Sequence, residues 1–226
     1  MKRKIELGMT ILLLLCMIFA SRKLSTMVTS KPVQEEQEQS RQELLVVVDA
    51  GHGAHDPGKV GVNDALEKDI NLAIAKKLQK ALEKEDIQVV MTRKDDTAED
   101  TKLKDMKKRV ALINEVKPDL VVSIHQNSYA DGRVRGPQVF YFTHSKESEG
   151  AASLMQAELA SLDEEHVRQI KANDSFYMLK KTEVPTIIVE CGFLSNAEEA
   201  EKLVSEEYQQ QLADTICSGV RKWLDK

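Results

Sequence analysis

Four short runs of branched apolar residues recur along this chain, at residues 44–49, 87–91, 120–124 and 186–189. Each is apolar over most of its length and built mainly from Val and Ile, with no regular alternation of polar residues. A strand without a polar side must be covered on both faces, as in a parallel sheet between layers of helices. The segments between these runs follow a helical period. Residues 65–85 space Leu66, Ile70, Ile74, Leu78 and Leu82 three or four apart, and residues 105–115 carry Met106, Val110 and Ile113 before Pro118. Residues 148–162, 197–204 and 209–223 read as further helices, 138–142 as another strand, and 176–179 as a short strand or a turn. There is no internal repeat. The pattern predicts an α/β fold, with a mostly parallel central sheet of about six strands and helices on both faces.

In open α/β sheets, ligands gather beyond the carboxyl ends of the strands. Residues suited to metal chemistry stand at these positions. His52 follows Asp49-Ala50-Gly51, His125 directly follows Ile124, Glu190 directly follows Val189, and Glu67 opens the helix after the first strand. Two histidines and one carboxylate make an open zinc site with a position left for water, and a further carboxylate nearby serves as base. The candidate ligands are therefore His52, Glu67 and His125, with Glu190 as the catalytic carboxylate.

Structural readings compete with each of these. Asp64-Ala65-Leu66-Glu67 also has the form of a helix-capping arrangement. A histidine behind a buried strand can be a hydrogen-bonded core residue. Glu190 after three apolar residues would be costly to bury unpaired, which favours a functional role. His55 lies in a loop of Gly, Asp and Pro and shares no helical face with His52, while His144 and His166 read as surface residues. The absence of G-x-S-x-G, a Walker loop and G-x-G-x-x-G leaves serine-hydrolase and nucleotide-binding readings without support.

Charge is unevenly placed. The net charge is −5; residues 1–43 carry a net +2 and the remainder −7. An acidic body argues against nucleic acid as a partner, because phosphate binding needs clustered Lys and Arg. Met1-Lys2-Arg3-Lys4 followed by the uninterrupted apolar residues 11–20 reads as an export segment. No A-x-A site follows and Arg22-Lys23 comes at once, so residues 1–21 are expected to be a signal or short anchor, the uncleaved form preferred. Residues 22–43 are mostly polar and are expected to be a flexible tether, reaching about 25 Å. Residues 44–226 form the folded domain, with Cys191 and Cys217 read as two small buried residues in preference to a pair.

Several blocks of the body resemble the zinc-dependent N-acetylmuramoyl-L-alanine amidases of bacterial cell walls. They are Val48-Asp49-Ala50-Gly51-His52-Gly53, Asp56-Pro57-Gly58, Leu66-Glu67-Lys68, Thr92-Arg93, residues 109–114, Ser123-Ile124-His125-Gln126-Asn127-Ser128, and Val189-Glu190-Cys191-Gly192-Phe193-Leu194-Ser195-Asn196. The resemblance implies Zn2+ on His52, Glu67 and His125, catalysis by Glu190, and peptidoglycan as substrate, cut at the amide between the lactyl group of muramic acid and L-alanine. It also implies an extracytoplasmic setting, with contact to the membrane through the N-terminal segment. Ala50 and Ala54 depart from the Pro and Gly usual at those positions, and neither removes a ligand. Residues 143–168 are too short for a separate regulatory plug. The compact, tethered form is similar to the sporulation-associated amidases, which trim stem peptides in spore cortex. Two rival readings remain: a zinc peptidase acting within the stem peptide, and a wall-binding protein gated by an activator protein. Asn127 is read as either a substrate-orienting or a turn residue.

Overall fold

The computed structural model describes residues 44–226. The anchor and tether expected at 1–43 lie outside the described residues. A six-stranded sheet forms the centre: β1 (Leu45–Ala50), β2 (Gln88–Met91), β3 (Leu120–Asn127), β4 (Gln138–Phe142), β5 (Lys171–Asn173) and β6 (Thr186–Phe193). Their order across the sheet is β2-β1-β3-β6-β4-β5. β1, β2, β3 and β6 run parallel, β4 pairs antiparallel with β6, and β5 runs parallel to β4. The helices are α1 (Glu67–Glu83), α2 (Lys102–Val116), α3 (Lys146–Leu159), α4 (Tyr177–Lys181), α5 (Ala197–Leu203) and α6 (Glu206–Leu224). This is the expected α/β architecture, with helices on both faces.

The two faces are covered differently because side chains alternate along a strand. Val46, Val48, Ala50, Val122, Ile124, Ile187 and Val189 point to one side, where Ile74, Leu78, Met155, Leu159, Leu212 and Ile216 from α1, α3 and α6 close a continuous apolar core. On the other side Val47 and Val121 meet Ile113 of α2 and Met178 of α4, a smaller cluster. That second cover stops short of the strands' carboxyl ends and leaves a cleft there.

Several boundaries differ from the sequence reading. β3 and β6 continue past Ile124 and Val189 to Asn127 and Phe193, so His125 and Glu190 sit inside paired strands, not after them. Of residues 176–179, read as a strand or turn, 177–179 belong to helix α4 and Phe176 is its N-cap; the Asn173 side chain accepts from the amides of Ser175 and Phe176 and turns the chain into it. β5 was not legible, since Lys171-Ala172-Asn173 has no apolar pattern and is held by backbone pairing with β4. Cys191 and Cys217 are free and buried, as expected. Among the described residues no helix is long and apolar enough to cross a membrane.

Candidate active site

Sheet register places the reactive groups. His125 pairs with Glu190 across β3 and β6, while Asp49, Ser123 and Ile188 line up one row below on the same face. His52 leaves β1 on a loop in which three consecutive residues have positive φ: His52 at 63°, Gly53 at 143° and Ala54 at 47°. L-residues avoid this region, at a cost of about 1–3 kcal/mol each. Ala54 therefore occupies a conformation that suits the Gly usual there in the resembling family.

Two buried arginines hold this loop. Arg93 donates to the carbonyls of Ala50 and Gly51 at 2.9 and 3.1 Å, and to that of Lys68 at 2.7 Å. Arg109 donates to the carbonyls of Ala50 and His52, both at 2.6 Å. The Arg109 guanidinium is anchored in turn by Asp49 at 2.9 Å and Asp105 at 2.7 Å. Burial alone would raise the Asp49 carboxyl, but the Arg109 charge and hydrogen bonds from Ser123 and Thr92 outweigh it and hold Asp49 below the usual carboxylate range.

Glu67 stands in the first turn of α1. The helix N-cap is Leu66, without a side-chain cap bond, so the capping arrangement read at Asp64 to Glu67 does not form. The Glu67 carboxylate turns into the cleft instead. Its Oε2 accepts from the Lys59 amide at 2.7 Å, and its Oε1 from the Gln126 amide at 3.1 Å. The same Oε1 lies 3.2 Å from His52 Nε2 and 2.9 Å from His125 Nδ1. Burial would raise this carboxyl, yet the hydrogen bonds to His125 and His52 prevail and keep it far below its usual range. Two glycines make room for this convergence. A Cβ on Gly51 would come within 2.3 Å of the His125 ring, and one on Gly58 within 2.5 Å of Glu67 Oε2.

Among the described residues, His52, Glu67 and His125 form a group whose donor atoms lie within 4.8 Å of one another. His52 Nδ1 is 2.9 Å from Asp56 Oδ2, so a neutral ring keeps its proton on that side and turns the Nε2 lone pair toward the Glu67 oxygen. Two electron-rich atoms facing each other at 3.2 Å require a proton or a cation between them. The donor set, two imidazole nitrogens and a carboxylate oxygen, fits a zinc-type cation.

Glu190 is the carboxylate left without a partner. Its Oε2 is closed off from solvent and makes no hydrogen bond. Burial, with the Glu67 charge adding to it, pushes the Glu190 carboxyl up to about 7 against the pull of both histidines. A cleft of about 350 Å³ opens over these groups, walled on its apolar side by Met106, Phe176, Met178 and Ile188.

Residues 46–222 match the N-acetylmuramoyl-L-alanine amidase family. The chain belongs to that family. It is 34% identical over 188 residues to the germination-specific N-acetylmuramoyl-L-alanine amidase of Bacillus subtilis, covering 79% of each chain. It is 38% identical over 184 residues to the uncharacterized protein YqiI of the same bacterium, covering 80% of this chain and 85% of that one. The solved structure of the CwlD amidase of Clostridioides difficile, in complex with the GerS lipoprotein, superposes with a TM-score of 0.78 at 34% identity, covering 80% of this chain and 98% of that one. This amidase thus brings all four sequence-predicted residues to one cleft. His55 is exposed and lies outside the cluster. Asn127 ends β3, and its side chain accepts from the Ser128 amide. Sequence reading assigned no role to Asp56, which orients His52, or to Arg93 and Arg109. For Arg93 the available signal was its place two residues after the end of β2; Arg109 lies in mid-helix, where its position alone gives none.

Proposed function

We propose that the amidase is zinc-dependent, with His52, Glu67 and His125 as ligands and Glu190 as the catalytic carboxylate, and that it cleaves the bond between the lactyl carbonyl of muramic acid and L-alanine in peptidoglycan. The observation that carries this reading is the pairing of a convergent His-Glu-His donor set with a partnerless, proton-hungry carboxylate beside it. Bound zinc supplies positive charge that acidifies water and polarises a carbonyl. The protein's own residues do the rest. Asp56 holds the tautomer of His52; the Lys59 and Gln126 amides fix Glu67. Glu190, with a carboxyl near 7, takes a proton from the attacking water and returns it to the departing alanine nitrogen. The apolar wall excludes bulk water from that exchange.

The domain spans residues 44–226, carried outside the cytoplasm by the segment at 1–21 and the tether at 22–43. Spore peptidoglycan is the setting supported by the germination-specific relative, and a lipoprotein partner is supported by the solved CwlD amidase in complex with the GerS lipoprotein. The test is to incubate the full-length chain with purified peptidoglycan, with and without a zinc chelator, and to weigh the soluble products. Chelator-sensitive release of intact stem peptides with a free N-terminal alanine is expected. Fragments cut within the stem would replace the amidase reading with a peptidase one.

A further inference from the structure

Among the described residues, two basic side chains of the Lys/Arg type line the cleft, and they are committed to different degrees. Arg109 is buried and uses all three guanidinium nitrogens, on Asp105, on Asp49 and on the carbonyls of Ala50 and His52. Lys102, the first residue of α2, is 68% exposed, and its amine meets the protein through one ion pair, to Asp56 Oδ2 at 3.3 Å. The same Asp56 oxygen lies 2.9 Å from His52 Nδ1. The amine is therefore within about two to three extended residue lengths (~3.3–3.6 Å each) of the His52 nitrogen that faces Glu67.

The charge around it matters. Arg109 is committed to Asp49 and Asp105, so Lys102 is the lining cation left mobile enough to meet a substrate anion. Stem peptides of peptidoglycan are anionic. The residue after L-alanine is a D-glutamate joined through its side chain, so its α-carboxyl, one residue beyond the scissile bond, is either free or amidated. A mobile cation at that distance from the reacting centre answers such a group.

We propose that Lys102 is a specificity-determining residue, its amine binding the free α-carboxylate of the second stem residue. The inference rests on the amidase reading and adds to it a preference between two forms of one substrate. On binding, the amine exchanges part of its contact with Asp56 for the substrate carboxylate, leaving Asp56 to His52.

The test uses the full-length, zinc-loaded enzyme and glycan strands whose L-alanyl-D-glutamyl stems carry the α-carboxyl either free or amidated. The wild type is expected to favour the free acid by about tenfold in kcat/KM, expressed in KM, the scale of a hydrogen bond to a charged group. In Lys102→Met the acid-to-amide ratio falls to near one, and in Lys102→Arg most of it is kept. A ratio unchanged in Lys102→Met overturns the proposal. An equal loss on both substrates also overturns it, because Lys102 then acts only through Asp56 and His52. A wild type that cuts both substrates within the stem and not at the lactyl–alanine bond refutes the amidase reading, and the inference falls with it; that outcome is separable because the fragments differ in mass.

Discussion

The two faces of the sheet divide the labour of this molecule. Toward α1, α3 and α6 the strands present Val46, Val48, Val122, Ile124 and Val189, all wholly buried against helix side chains. Toward α2 and α4 the same strands present Asp49, Ser123, His125 and Glu190 among a few apolar residues. The period-two alternation of a strand does this sorting, so neighbouring residues such as Val189 and Glu190 serve opposite ends. A register slip of one residue would exchange the two sets, burying the charges and exposing the valines. Apolar burial is concentrated on the closed face and chemistry on the open one.

That division can be broken by substitution. Glu190→Ala, on the open face, is expected to lower turnover about 10³-fold. Its zinc content by elemental analysis and its melting temperature should stay near those of the parent. A rate near normal would remove Glu190 from the chemistry. Because Glu190 must be deprotonated to accept a proton, the parent's turnover should also fall as pH drops below about 7, further to the acid side once a bound cation adds its field.

Asp49 tests whether the open face is free of stabilising duty. Asp49→Ala removes one of the two carboxylates on the buried Arg109 guanidinium, together with the acceptor of Thr92 and Ser123, and should cost about 3–5 kcal/mol in denaturant unfolding. The folded Asp49 carboxyl lies below its unfolded value of about 3.9. Its contribution is therefore present above that value and lost as pH falls through the folded one. Parent and variant should converge in stability on acidification; a constant gap would mean that the ionised carboxylate is not what stabilises. The smallest effect is expected at the closed face. Leu78→Ala, in the fully buried stripe of α1, should lower stability by about 3 kcal/mol while leaving turnover per folded molecule unchanged. A proportional loss of turnover at temperatures where the variant is folded would show the two faces to be coupled.

The parts legible in the sequence were those with a side-chain pattern. The Val and Ile runs marked β1, β2, β3 and β6, and the polar residues ending three of those patterns marked the cleft. Element ends were less legible. β3 and β6 continue through His125 and Glu190 because their backbones keep pairing, which polar side chains do not announce. α2 begins at Lys102, three residues before the start read at 105, because Thr101 caps it by accepting from the Lys104 amide. α6 starts at Glu206 for the same reason, with Ser205 as cap. The orienting partners of the site were the least legible. Asp56, Arg93 and Arg109 act through carbonyls and ring nitrogens that only the folded loop brings near.

The reversed direction of β4 has a consequence for descent with modification. β3 leaves the sheet at the edge that holds the cleft, and β4, running the other way, begins at that same edge on the far side of β6. Residues 128–137 therefore arch over the exit of the Glu190 strand, tacked down by Asn196 on the Gly132 carbonyl and Glu199 on the Gly136 amide. Doubling the length of such an arch costs only about 0.6 kcal/mol of closure entropy. Lineages can thus lengthen the span over the chemistry, and change what reaches it, while the sheet beneath is inherited intact.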